Sequence, residues 1–213
     1  MNIVVRTLSD QTYEIVRRRI LVGAMQPGTA VRQDVIAAEL GVSKIPLREA
    51  LGRLEQDGLL SSYPNRGYVV RDLSTDEASE VFALRLKLEP GAMAEACLRA
   101  SPADHAAAET ALAALEAELA KPDGDHVSSN RAFHLALVRP GGHITFQLME
   151  RLQILAERYV RVHLEPFGRD ERASLEHREI LDAWILGDAK SVETLSANHI
   201  LGTLSDLTQQ LSA

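Results

Sequence analysis

Apolar residues recur along most of this chain at three- and four-residue intervals, the spacing of one buried face of an α-helix. Tyr13, Ile15, Val16 and Ile20 mark a first helix, ended by Gly23 and Pro27-Gly28. A second runs from about Gln33 to Leu40 and stops at Gly41. A third opens at Ser43, a residue type favoured at helix N-caps, and tolerates Pro46 in its first turn. Its Leu47, Ala50, Leu51 and Leu54 form one stripe that ends at Gly58. Then the rhythm changes. Leu60 to Tyr63 and the pair Val69-Val70 flank Pro64-Asn65-Arg66-Gly67, which reads as a short hairpin with a tight turn. Two short helices around a glycine-containing turn, followed by a hairpin, predict a winged helix-turn-helix.

After residue 73 the strand signals stop. Ser74-x-x-Glu77 predicts a capping box, the hydroxyl accepting from a backbone N–H while the carboxylate reaches back. Ser101-Pro102 opens another helix, with proline where its missing N–H costs nothing. Thirteen of the 29 residues from Ala92 to Ala120 are alanine, which favours helix and close packing. Breaks at Pro122-Asp123-Gly124, Pro140-Gly141-Gly142, Pro166-Phe167-Gly168 and Gly187-Asp188 leave about six helices, an all-α bundle. The predicted fold is mainly α: a winged helix-turn-helix over residues 1–73 and a helical bundle over 74–213.

Composition narrows the class. The chain has 213 residues, 46% hydrophobic and 25% charged, which suits a soluble protein of one or two domains. It holds no apolar run long enough to span a membrane and no apolar core for a secretory signal near Met1. One cysteine, Cys97, excludes an internal disulfide framework and fits a reducing cytoplasm. The net charge of −7 argues against a protein wrapped in basic charge. Dividing it changes that picture. Residues 1–73 hold 10 Lys+Arg against 8 Asp+Glu, a net of +2, while residues 74–213 hold 13 against 22, a net of −9. The two units are built for different partners. With so small a positive charge, non-specific DNA affinity should be weak, so two half-sites are needed.

The second helix of a helix-turn-helix enters the major groove with its N-terminal residues nearest the bases. Here those are Ser43, Lys44 and Arg48. Lys44 and Arg48 lie one turn apart, off the buried stripe, and can reach guanine acceptors or phosphate. Ser43 and the helix N-terminus can hold a phosphate. Arg66-Gly67 at the hairpin tip suits the minor groove or the backbone, and Arg32 and Gln33 can fix register through phosphates. Taken singly, these charges are ordinary solvated surface. Their conjunction with two helices and a wing points to double-stranded DNA.

In the bundle, three histidines fall on apolar faces. One face carries Val127, Asn130, His134, Leu137 and Val138; the next Ala173, Ser174, His177, Ile180, Leu181, Trp184 and Ile185; the last Val192, Leu195, Ser196 and His199. A lone histidine on such a face is ordinarily a hydrogen-bonded core residue. Three on three helices of one bundle point to a shared ligand, because unpartnered buried imidazoles are costly and bundle interiors are where facing helices build metal sites. Asn130, His134, His177 and His199 suit a divalent Zn, Ni or Mn ion. His105, His126, His143 and His163 lack comparable placement and read as surface or loop residues.

The N-terminal residues resemble the GntR family of bacterial transcription regulators. The resemblance rests on ILVGAMQPG (Ile20–Gly28), IAAELGVSKIPLREAL (Ile36–Leu51), LEQDGLL (Leu54–Leu60) and NRGYV (Asn65–Val69). Lys44 stands where arginine is commoner in that family, which keeps charge but loses bidentate geometry. NRAFH (Asn130–His134), Leu175–Ala189 and Asn198-His199 resemble the FCD ligand-binding domain that defines the FadR subfamily, over most of residues 74–210. That resemblance implies a cytoplasmic homodimer reading a palindromic operator, with a small carboxylate metabolite bound at or beside the metal. Metal-binding members carry aspartate, sometimes asparagine, where Asn130 stands, so four neutral ligands here favour an anionic effector. Gly142-His143 also departs from the usual Gly-Asn. Acyl-CoA-binding members lack the histidine set, which disfavours that ligand.

Arg85 lies on the inward stripe Ala78, Val81, Phe82, Arg85, Glu89, Ala92 and Met93. It reads either as an internal pair with Glu89, four residues on, or as a fork for the effector's carboxylate; family members keep an arginine here. Arg131 is a weaker effector candidate. The competing function is a metal-dependent hydrolase using the three histidines. Against it, no HExxH motif occurs and no carboxylate is clearly placed as general base, since Glu176 points about 100° away from His177 around its helix. The expectation is a regulator, not an enzyme.

Overall fold

The computed structural model describes residues 7–64, 66–121, 124–163 and 169–211. The chain splits after Leu73 into two compact units. The first contains α1 (Leu8–Leu21), α2 (Gln33–Leu40), α3 (Lys44–Gln56), β1 (Leu60–Tyr63) and β2 (Gly67–Val70). Thr7 and Asp10 start α1 by exchanging hydrogen bonds: the Thr7 hydroxyl accepts from the Asp10 N–H, and the Asp10 carboxylate from the Thr7 N–H, both at 3.0 Å. Tyr13, Val16 and Ile20 face inward, whereas Ile15, expected among them, is 42% exposed. It precedes Val16 by one residue and so lies about 100° around the helix. α2 ends at Gly41, whose φ of 63° is left-handed and favours glycine. α3 packs Leu47, Ala50, Leu51 and Leu54 against α1, all fully buried. Burial of one such leucine stabilises the unit by roughly 1.5–3 kcal/mol. Ser43 occupies the N-cap of α3, but its hydroxyl makes no capping bond.

β1 and β2 pair antiparallel from Leu60↔Val70 to Tyr63↔Gly67. Of the predicted turn, Asn65 lies outside the described residues. The other side of β2 is bordered by residues 28–31: the Val31 N–H donates to the Tyr68 carbonyl at 2.8 Å, and the Val70 N–H to the Thr29 carbonyl at 2.9 Å. On the outer strand, the Glu55 carboxylate of α3 accepts the Ser62 N–H at 3.0 Å and its hydroxyl at 2.5 Å.

The second unit has, among the described residues, six α-helices: α4 (Thr75–Cys97), α5 (Pro102–Leu119), α6 (His126–Val138), α7 (His143–His163), α8 (Arg169–Ile185) and α9 (Ala189–Leu211). A single 3₁₀ turn, Arg139–Gly141, links α6 to α7. α4 runs through the bundle against α6, α7 and α9, while α5 packs on α6 and α8. Met93, Phe133, Leu137, Met149 and Trp184 form the centre of the core. The Trp184 indole N–H finds the Leu137 carbonyl at 3.0 Å, so its polar edge is satisfied inside. The breaks at Pro122-Asp123 and Pro166-Phe167-Gly168 lie outside the described residues. Gly187, at φ 70°, ends α8, and the Asp188 side chain then caps α9 by accepting from the Ser191 N–H at 3.2 Å. No helix among the described residues is long and apolar enough to cross a membrane.

The predicted box at Ser74 is half made. The Ser74 hydroxyl accepts from the Glu77 N–H at 3.3 Å, but Glu77 does not reach back. Tyr159 of α7 stands between them: its hydroxyl donates to the Glu77 carboxylate at 2.5 Å and accepts the Ser74 N–H at 3.4 Å. The bulk of the fully buried Tyr159 ring takes the space, and the phenol supplies both polarities. Burial and the Glu77 hydrogen bond push its ionisation up to about 12. The neutral phenol is therefore the form that stabilises the fold. Its contribution is complete below the ordinary tyrosine value of 10.0 and is lost as pH climbs toward 12. Tyr159→Phe is expected to cost about 1–3 kcal/mol in urea unfolding at neutral pH and to lose less additional stability than wild type across that alkaline window.

Candidate functional site

Two contacts bring the predicted DNA-reading residues of the first unit together. The Lys44 ammonium at the start of α3 pairs with Asp34 in the first turn of α2 at 2.7 Å. Gln33 lies beside the wing: a Cβ added at Gly67 would stand 3.4 Å from its amide nitrogen. Gly67 has a φ of 71°, a left-handed conformation that favours glycine and turns the wing there. Ser43, Lys44, Arg48, Arg32 and Arg66 are all exposed, and Gln33 is half-buried. The starts of α2 and α3 and the wing tip thus form one continuous polar surface. Asp34 was not foreseen on it. Lys44, with a smaller contribution from Arg48, holds the Asp34 carboxyl below its ordinary range.

In the second unit, His134 on α6, His177 on α8 and His199 on α9 converge. All three are buried, and one ligand nitrogen from each lies within 4.8 Å of the others. The Nε2 atoms of His177 and His199 are 3.3 Å apart. Two ring nitrogens at that distance must share a proton or a cation. Nitrogens bound at about 2.0–2.1 Å to a tetrahedral ion would be separated by about 3.3 Å. His134 Nε2 is buried with no hydrogen-bond partner among the described residues. An orphaned lone pair beside two close ring nitrogens fits a divalent cation. Asn130 lies one turn before His134 on α6 and is half-buried.

Two carboxylates, Glu89 and Glu176, flank the cluster through its ring nitrogens. Glu89 accepts from His134 Nδ1 at 2.7 Å, from Arg85 Nε at 2.8 Å and from Gln153 Nε2 at 2.6 Å. Burial pushes its carboxyl up, but Arg85 and His134 together outweigh that and hold it well below the usual range, so it stays ionised. Glu176 extends sideways from α8 and accepts from His199 Nδ1 at 2.7 Å. The helical angle from His177 is as expected; the missed fact was that α9 passes on that side. Gln153 was also missed, although a polar residue among the buried Met149, Leu152 and Ala156 was its signal.

Arg85 makes the internal pair with Glu89, both side chains being at most 5% exposed. Arg131 gives its Nε to Glu157 at 2.9 Å. His105 packs edge-on against Trp184, His126 is half-buried with Nδ1 3.2 Å from the Gly124 carbonyl, and His143 is exposed. His163 ends α7, and its side chain lies outside the described residues.

The profile of the FCD domain matches residues 80–202, and that of the bacterial regulatory proteins of the gntR family matches residues 8–70. The Nta operon transcriptional regulator of Aminobacter aminovorans is 31% identical over 133 residues, 62% of this chain and 62% of the relative, so the match spans less than two thirds of that protein. The HTH-type transcriptional repressor GlaR of Escherichia coli (strain K12) is 27% identical over 210 residues, 94% of this chain and 96% of the relative. E. coli McbR/YncC shares the fold with a TM-score of 0.83 at 23% identity, covering 97% of this chain and 100% of that one. The chain belongs to the GntR family of bacterial regulatory proteins and carries an FCD domain.

Removing Arg85 alone would take from the buried Glu89 carboxylate the guanidinium that does most to offset its burial. Arg85→Met is expected to destabilise the protein by about 3–5 kcal/mol in equilibrium urea unfolding. A loss below about 1 kcal/mol would mean that the ion pair is dispensable to the bundle.

Proposed function

We propose that this protein is a DNA-binding transcriptional regulator whose operator affinity is set by a small carboxylate metabolite held at or near a metal ion in the FCD bundle. The convergence of His134, His177 and His199 around an orphaned Nε2 carries the sensing half of this reading. The joined surface of Lys44, Arg48, Gln33 and Arg66 supports the DNA half. Ser43, Lys44 and Arg48 enter the major groove, Arg66-Gly67 meets the backbone or minor groove, and Arg32 and Gln33 set register. Two protomers related by a twofold axis read a palindromic operator with half-sites about one helical turn apart.

His134, His177 and His199 hold the ion, zinc, nickel or manganese, with Asn130 as fourth donor. The ion supplies a positively charged coordination position for an anionic oxygen. Arg131, at the same end of α6 as Asn130, and Arg85 are the cationic side chains offered to the rest of that anion. Because Arg85 already serves Glu89, Arg131 is the better placed of the two to exchange its partner for an effector. A coupling free energy of about 1–3 kcal/mol between the bundle and the DNA surface is ample to switch operator occupancy. The hydrolase alternative is disfavoured by the same geometry: Glu89 Oε1 and Glu176 Oε2 each face the Nδ1 side of a histidine ring, away from the Nε2 atoms of the cluster.

In a gel shift with DNA flanking its own gene, the protein is expected to give specific, salt-sensitive binding. Arg48→Ala should weaken that shift at least tenfold while leaving the circular-dichroism spectrum unchanged. Absence of a specific shift under every metal and metabolite condition would overturn the regulator reading. Elemental analysis after zinc loading and gel filtration should find about one ion per wild-type chain and far less in His177→Ala. Equal content in both would remove the proposed centre.

A further inference from the structure

A histidine offers a metal only one of its two ring nitrogens, and the other decides which. His134 meets the Glu89 carboxylate through Nδ1 at 2.7 Å, and His199 meets Glu176 through Nδ1 at 2.7 Å. A carboxylate oxygen facing a ring nitrogen accepts, so Nδ1 is the donor of each pair and Nε2 is the nitrogen left to face the cluster. The two acids are anchored differently. Glu89 is fixed by Arg85 from its own helix and by Gln153 from α7, and is 1% exposed. Glu176 is 28% exposed on its side chain, with Arg172 at 3.7 Å.

We propose that Glu89 and Glu176 are the positioning residues of the histidine cluster, fixing the tautomer and ring angle of His134 and His199 so that Nε2 faces the shared centre. This rests on the metal reading above. The carboxylate also raises the basicity of each ring, because its charge stabilises the positive charge the ring acquires as it donates to the cation. The cluster then has one rigid arm, His134 locked through Glu89 into the three-helix network, and one adjustable arm, His199 steered by a partly solvated acid. His177 completes the triangle, its ring centre 5.3 Å from that of His134 and 4.6 Å from that of His199.

The test uses the full-length protein, stripped with a chelator and titrated with zinc against a chromophoric competitor. Glu176→Ala is expected to weaken zinc binding about 10–100-fold, with the metal-free protein still melting cooperatively. Glu176→Gln should recover part of the loss, since its amide oxygen accepts the same hydrogen bond without the charge. Imidazole ¹⁵N shifts should place the His199 proton on Nδ1 in wild type and release that preference in the alanine variant. The double variant Arg85→Met/Glu89→Gln removes the other acid without stranding a buried charge and should weaken zinc in the same direction. If it does not fold, the Glu176 series decides. The proposal is overturned if Glu176→Ala binds zinc as tightly as wild type while His177→Ala has lost it. If wild type itself takes up no zinc, the metal centre fails along with it.

Discussion

A carboxylate sealed inside a helical bundle is the constraint around which the second unit is arranged. An isolated ionised acid in that position would cost many kcal/mol, so Glu89 requires every lone pair to be met. It is met from three helices: Arg85 on α4, His134 on α6 and Gln153 on α7. Such a network specifies geometry more than it adds stability, because the desolvation of the charges offsets much of their attraction. Its effect is to fix the relative placement of α4, α6 and α7 around one point. The His134 ring is oriented as a by-product of that requirement. Cluster geometry and fold are therefore not separable on this side of the bundle, whereas on the α8–α9 side the Glu176–His199 pair is more open to water.

The first unit solves a different problem. Its core is a short stack of leucines, and its polar surface is assembled from three separate chain segments, the starts of α2 and α3 and the wing tip. Asp34 tempers that surface by engaging Lys44. An ion pair this exposed is worth little to stability, so its meaning lies in the charge presented to the outside. Lys44 is among the cations in this unit that meet a carboxylate, with Arg17, Arg19 and Arg53, so the unit's modest positive charge is further muted where the chain folds.

Much of this was legible in the sequence, for physical reasons that also mark the limit. α3 could be drawn almost to the residue because Leu47, Ala50, Leu51 and Leu54 repeat on one face and Gly58 follows. His134, His177 and His199 could be placed inward because each shares its face with buried apolar neighbours. Periodicity reports which way a side chain points, however, and not what it meets. Glu176 was read correctly as turned away from His177, yet the acid reaches His199 on another helix. Ser74 and Glu77 have the spacing of a reciprocal cap, but spacing cannot announce that Tyr159 will stand between them. Ile15 failed for the opposite reason: adjacent to Val16, it could not share the same face. The pairing of residues 28–31 with β2 left no pattern, since a segment that short carries no alternation.

The wing has an open side that is easily overlooked. Small two-stranded hairpins expose unpaired backbone on their outer strand, and such edges invite another chain to add itself. Here β2 is bordered by residues 28–31, and on β1 the Glu55 carboxylate covers the Ser62 N–H and hydroxyl. A side chain from the helix α3 thus takes the place a foreign strand would occupy, and it brings a negative charge that no incoming carbonyl can replace. At Ser62, at least, the edge offers no free N–H for strand addition.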